Sequence, residues 1–167
     1  LALSAVNAML PDEFLRAFGG VFEHSPWIAE RAWAKRPFVD VAALHRAMVE
    51  VVQRASPAEQ LALLCAHPDL AGKEAQTGTL TAASTNEQQA AGLNALSKDE
   101  MSRIAELNRQ HRERFGFPFI IAARLNTKDR IFTEFERRLA LDAQAEREAC
   151  LDQVYLITRL RLDDAIR

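Results

Sequence analysis

The sequence predicts an all-α protein, an irregular bundle of about eight or more helices forming a single domain over residues 1–167. Three observations predict it. Apolar residues recur at helical spacing through most of the chain. Helix-start signals of the Ser-x-x-Glu and Ser-Pro kind recur between those stretches. No run alternates apolar and polar residues as a half-buried strand does. At 167 residues the chain has the size of one domain and can bury a core without cross-links.

Pro11 opens PDEFLRAF, which Gly19-Gly20 ends, and Ser25-Pro26 opens PWIAERAWAKR. Asp40 precedes VAALHRAMVEVVQRA, where Val41, Leu44, Met48 and Val52 keep one stripe. Ser56-Pro57-Ala58-Glu59 reads as a capping box starting a helix through LALLCA. Pro68 biases its predecessor out of the helical region, so His67 is expected at that helix's C-terminal end. A looser stretch runs from Pro68 to Ala83. Ser84-Thr85-Asn86-Glu87 and Ser97-Lys98-Asp99-Glu100 then read as two more capping boxes. The helix after Ser97 runs to Phe115, with Gly116 as its C-cap. Phe117-Pro118-Phe119 breaks the period, and Ile120-Ile121-Ala122-Ala123 is expected to be a buried connector or helix, because no other run offers it a strand partner. Two further helices are expected over 128–140 and 143–165.

Apolar residues make up 49% and charged residues 26%, which separates this chain from disordered sequences. A net charge of −2 points to neither a nucleic acid nor a membrane surface as partner, and the 17 arginines are interspersed with acids as on solvated helix faces. Cys65 and Cys150 both fall in apolar helical patterns and are expected to be buried free thiols, which fits a reducing compartment. No apolar run approaches the ~20 residues of a membrane span.

His24, His45, His67 and His111 include no pair at i+3 or i+4, so no metal site is expected, and no phosphate loop, nucleophile elbow or Schiff-base lysine setting appears. Three polar residues invite a choice. His67, in HPDLAGK, is either a helix-end histidine facing the dipole or a proton-transfer group held at a turn. Glu87 is either a capping glutamate or, with Ser84 and Gln88, part of a polar site at a helix N-terminus. Arg161, two residues from Arg159 and so on a different side of its helix, either bridges Asp163 or Asp164 or points inward.

An ordered set of segments settles a resemblance. Phe22-Glu23 with Ser25-Pro26-Trp27, Arg36-Pro37-Phe38, the whole of HPDLAGK (67–73), Ser84, Glu87-Gln88 and Ala91-Gly92-Leu93 are followed by Asn108, Phe115-Gly116-Phe117-Pro118-Phe119 and Leu160-Arg161-Leu162. Together they resemble the family of 2-oxo-4-hydroxy-4-carboxy-5-ureidoimidazoline (OHCU) decarboxylases, in the family's order and over nearly the whole chain. One departure is His111, where the family pattern has an aromatic, tyrosine-like residue.

The resemblance implies an all-α homodimer that converts OHCU to (S)-allantoin and CO2 without cofactor or metal, the last step from urate to allantoin. It assigns catalysis to His67, Glu87 and Arg161. It assigns substrate binding to Pro68, to Ser84, Thr85, Asn86, Glu87 and Gln88, and to Phe119, Ile120, Ile121, Ala122 and Ala123. Arg161 would anchor an anionic oxygen, Glu87 accept the hydroxyl proton and His67 act as the acid, with the last two roles open to exchange. Eukaryotic members often end in a peroxisomal tripeptide; Asp164–Arg167 carries none, so a cytoplasmic protein is expected unless a tail has been trimmed. Two rivals stand beside this reading. A helical interaction module would present an apolar groove to a partner protein. An enzyme isomerising allantoin would need no carboxylate clamp at Arg161.

Overall fold

Side-chain caps and turn chemistry set the helix boundaries. The computed structural model describes residues 1–167, with ten α-helices, two short 3-10 turns and no strand. It falls into two compact units, Leu1–Ala66 with Tyr155–Arg167, and His67–Val154.

The first unit holds α1 (Leu3–Ala8), α2 (Pro11–Phe18), α3 (Trp27–Ala32), α4 (Val41–Arg54), α5 (Pro57–Cys65) and the last turns of α10 (Ala143–Ala165). The Leu10 N–H donates to Glu13 Oε2 at 2.8 Å as Pro11 opens α2. Asp40 Oδ1 accepts from the Ala43 N–H at 2.6 Å to start α4. Ser56 and Glu59 form the expected reciprocal box at the head of α5, at 3.1 and 3.3 Å. Phe14, Phe18, Leu44, Met48, Leu63 and Leu64 are fully buried, and the Phe14 and Phe18 rings lie 4.9 Å apart. Helix α1 escapes sequence reading because six residues with one buried position, Val6, are too short for a period to emerge. Asn7 anchors it, donating to the Phe38 carbonyl at 2.9 Å and accepting the Phe38 N–H at 2.8 Å. The helix expected through Arg36 tightens to a 3-10 turn at Trp33–Lys35. There the Arg36 guanidinium lies over the Trp33 ring and donates to the carbonyls of Trp33, Asn7 and Met9.

The second unit holds α6 (Lys73–Thr77), α7 (Ala82–Ala90), α8 (Lys98–Phe115), α9 (Lys128–Leu139) and the start of α10. Its core gathers Leu70, Leu93, Ile104, Phe119, Ile131 and Phe135 among others. The Ser97–Glu100 box caps α8 at 3.1 and 2.9 Å, and Gly116 ends that helix in the left-handed region at φ +80°.

Two expectations are corrected. The box at Ser84 does not form, because the helix starts a turn earlier: Thr81 is the cap and its Oγ1 accepts the Ser84 N–H at 3.2 Å. Ala82 and Ala83, good helix formers, carry α7 back to Thr81 and leave Glu87 beyond capping reach. Cys150 is a buried free thiol, but Cys65 is exposed; α5 buries Leu63 and Leu64, and Cys65 falls about 100° further round the helix. No helix is long and apolar enough to cross a membrane.

Candidate active site

His67 follows the C-cap of α5, where Pro68 forbids further helix, and only 7% of it is exposed. The loop after it is held at nearly every residue. Asp69 pairs with Arg112 at 3.0 Å, and the Leu70 carbonyl accepts from Asn108 Nδ2 at 3.0 Å. The Ala71 N–H donates to Gln88 Oε1 at 2.9 Å, while Gln88 Nε2 donates to the Asp69 carbonyl at 3.4 Å. Ala71 is left-handed at φ +47°. A Cβ on Gly72 would come within 2.6 Å of the Asp69 Cβ, so only glycine fits there. HPDLAGK is thus a turn whose sequence is dictated by its own tight path.

On α7, Ser84, Glu87 and Gln88 are buried while Asn86 is exposed. Positions i, i+3 and i+4 share a helix face, and i+2 lies opposite. Glu87 is thus buried on the inward face of α7 and does not serve as a cap. Thr85 is half-buried, with its hydroxyl donating back to the Thr81 carbonyl at 2.9 Å. Of the predicted segment 84–88, then, the inward set is Ser84, Glu87 and Gln88. A cavity of about 340 Å³ is lined by Ala71, Thr85, Gln88, Leu93 and Met101 among others, but not by His67, Ser84 or Glu87.

Residues 119–123 run as a buried irregular connector ending in a 3-10 turn at Ala123–Leu125, which packs against α7. The loop of His67, the inner face of α7 and this connector therefore adjoin within the second unit. The Ala122 N–H donates to Gln153 Oε1 at 2.9 Å, so it is committed to the protein itself.

Arg161 belongs to the first unit. Its Nη1 donates to Glu23 Oε2 at 2.8 Å and to the Val21 carbonyl at 3.1 Å, with 8% of the side chain exposed. Arg159 is the solvated member of the pair, bound to Asp163 at 3.0 Å. Arg161 thus points inward, beside Glu23.

Sequence reasoning missed a second polar cluster. Arg138 donates through Nε to Glu146 Oε1 at 2.7 Å and through Nη2 to the same carboxylate. It also donates to Cys150 Sγ at 3.1 Å and, through Nη1, to the Ile120 carbonyl at 2.7 Å. Fully buried His111 donates from Nδ1 to the Phe117 carbonyl at 2.8 Å and places Nε2 3.7 Å from Glu146. It packs edge-on to Phe117, Phe119 and Phe135, filling the place expected for an aromatic residue. The available signal was a charge on an apolar stripe: Arg138 continues Ile131 and Phe135, and Glu146 precedes Cys150 and Val154 by helical steps.

The ligand atoms of His111, Glu146 and Cys150 lie within 4.8 Å of one another, but this set does not suit a metal ion. The Arg138 guanidinium already supplies the positive charge and takes both Glu146 and Cys150 as partners, and burial pushes the Cys150 thiol up to about 12. Burial also acts to raise the Glu146 carboxyl. Hydrogen bonds from Arg138, with the His111 ring close by, outweigh it and hold the group below the usual carboxylate range.

The model of the OHCU decarboxylase family matches residues 7–163. The chain belongs to the OHCU decarboxylase family. Within this family, the OHCU decarboxylase of Haloferax volcanii is 44% identical over 97% of this chain and 94% of its own length. The mouse OHCU decarboxylase is 41% identical, over 96% of this chain and 90% of its own. A crystal structure of (S)-allantoin synthase superposes with a TM-score of 0.78 at 28% identity, covering 99% of this chain and 54% of that one, so this chain spans about half of that protein. The OHCU decarboxylase resemblance of the separate motifs thus extends to sequence similarity along nearly the whole chain.

Proposed function

We propose that this chain decarboxylates OHCU to (S)-allantoin and CO2, the closing step from urate to allantoin, as a single catalytic domain. The observation that supports the reading is the inward face of α7: in a member of this family Ser84 and Glu87 are buried on the helix whose Gln88 holds the loop of His67, where a purely structural helix would place apolar residues.

The substrate contains its own electron sink. As the bond to the carboxylate breaks and CO2 departs, the electron pair moves toward the neighbouring ring C=N, whose nitrogen takes up a proton, leaving an enol. The enol hydroxyl then gives up its proton and the ring carbon bearing the ureido group receives one. The sum is one proton consumed and one C–H bond formed. Glu87 accepts the hydroxyl proton, and His67 delivers the proton that sets the handedness of the product. Arg161 binds an anionic oxygen, for which its planar fork is suited. Pro68, the inward residues Ser84 and Gln88 of α7 and the segment 119–123 bind the rest of the substrate. Metal and cofactor play no part in this scheme.

The scheme is tested by adding the protein to OHCU freshly generated from urate and following optical activity. Allantoin of one hand should appear faster than by spontaneous decay; an unchanged rate refutes the proposal. We further propose a homodimer, checked by sedimentation, and a reducing cytoplasmic setting, which suits the free thiols Cys65 and Cys150.

A further inference from the structure

The buried cluster around Arg138 costs the fold something that apolar side chains of similar volume would not, since ionic groups must be stripped of water. Its contacts suggest what it supplies. The cluster holds the backbone entering and within the connector: His111 binds the Phe117 carbonyl, the Cys150 thiol approaches the Pro118 carbonyl at 3.8 Å, and Arg138 binds the Ile120 carbonyl. Arg138 also lies 4.3 Å over the Phe119 ring, which stacks on Phe135 at 3.9 Å. The guanidinium is itself fixed, because Glu146 takes its Nε and Nη2 and leaves Nη1 aimed at Ile120.

In a trans peptide the C=O and the following N–H point in opposite directions. Pinning the Ile120 carbonyl on Arg138 therefore turns the Ile121 N–H away from the cluster. The next N–H along, that of Ala122, is taken by Gln153, so the following peptide is held as well.

We infer that Arg138, oriented by Glu146, is a positioning residue that presents the Ile121 N–H to a carbonyl oxygen of the substrate. The inference rests on the reading that 119–123 bind substrate, and the test separates the two. R138M alone strands the Glu146 carboxylate and endangers folding, so the decisive variant is R138M/E146M, which removes both charges together. R138K accompanies it, because one ammonium cannot serve Glu146, Cys150 and Ile120 at once. The readouts are KM and kcat with freshly generated OHCU, and the Ile121 amide resonance of the full chain in the absence of substrate.

The expected result is a KM raised about tenfold in the double variant and less in R138K, with kcat of the folded fraction nearly unchanged and a displaced Ile121 amide. An Ile121 amide that stays in place overturns the inference whatever KM does. A displaced amide with unchanged KM overturns it through its premise, showing that this segment does not hold substrate. Loss of folded protein at constant KM assigns the cluster to stability alone and also overturns it.

Discussion

Gln88 accepts the Ala71 N–H at 2.9 Å, so one glutamine ties the loop of His67 to the helix of Glu87. Gln88→Leu leaves that buried N–H unsatisfied and should cost about 1–3 kcal/mol of stability. The Ala71 amide should exchange faster with solvent and kcat should fall. Gln88→Glu keeps the acceptor and should retain most of the protection, which hydrogen exchange at Ala71 will check.

Glu23 and Arg161 form a pair in which 1% and 8% of the side chains are exposed. Glu23→Ala buries a guanidinium without its carboxylate and should lower stability by about 3–5 kcal/mol, read from urea midpoints. Arg161→Lys keeps a charge but loses the planar fork. It should raise KM for OHCU by about 10- to 100-fold, the worth of a charge-assisted hydrogen bond. An unchanged KM would favour a reaction without a carboxylate clamp.

His67→Ala should lower kcat by about 100-fold or more, the usual contribution of a positioned acid or base, while the melting temperature changes little. Turnover near the wild-type level would remove His67 from the proton-transfer scheme.

His45 donates to or accepts from Thr158 Oγ1 at 3.1 Å, and burial, reinforced by Arg159, lowers its pKa from the ordinary 6.5. The folded state thus prefers neutral His45, and below 6.5 the unfolded chain takes up a proton that the folded chain resists. Its stabilising contribution is present above 6.5 and lost as pH falls toward the folded value. Unfolding measured from pH 7.5 to 5 should show a steeper acid loss in the wild type than in His45→Gln.

Helices whose starts depend on local chemistry were legible: Asp40, Ser56 and Ser97 cap as their side chains dictate, and Gly116 ends α8 as its left-handed φ requires. The cap at Thr81 was not, because Ser84 presents an equally good motif three residues on, and only packing decides between them. His67, Glu87 and Arg161 stood out as polar residues in or beside apolar patterns, and all three are largely buried. The Arg138–Glu146 pair follows the same logic but is hidden in the sequence by neighbours such as Arg137, which bonds Glu134 on the surface. The role of Gln88 needs the tertiary path of the loop, which no local pattern encodes.

The unequal settings of the two cysteines make the chain its own gauge of opening. Cys65 is exposed, whereas Cys150 lies inside with its thiol pushed up to about 12. A thiol-reactive dye should therefore titrate one group in the native protein and a second only when the packing around α10 lets go. The delay of that second equivalent measures, without any added label site, how often the core behind the Ile120 peptide exposes itself.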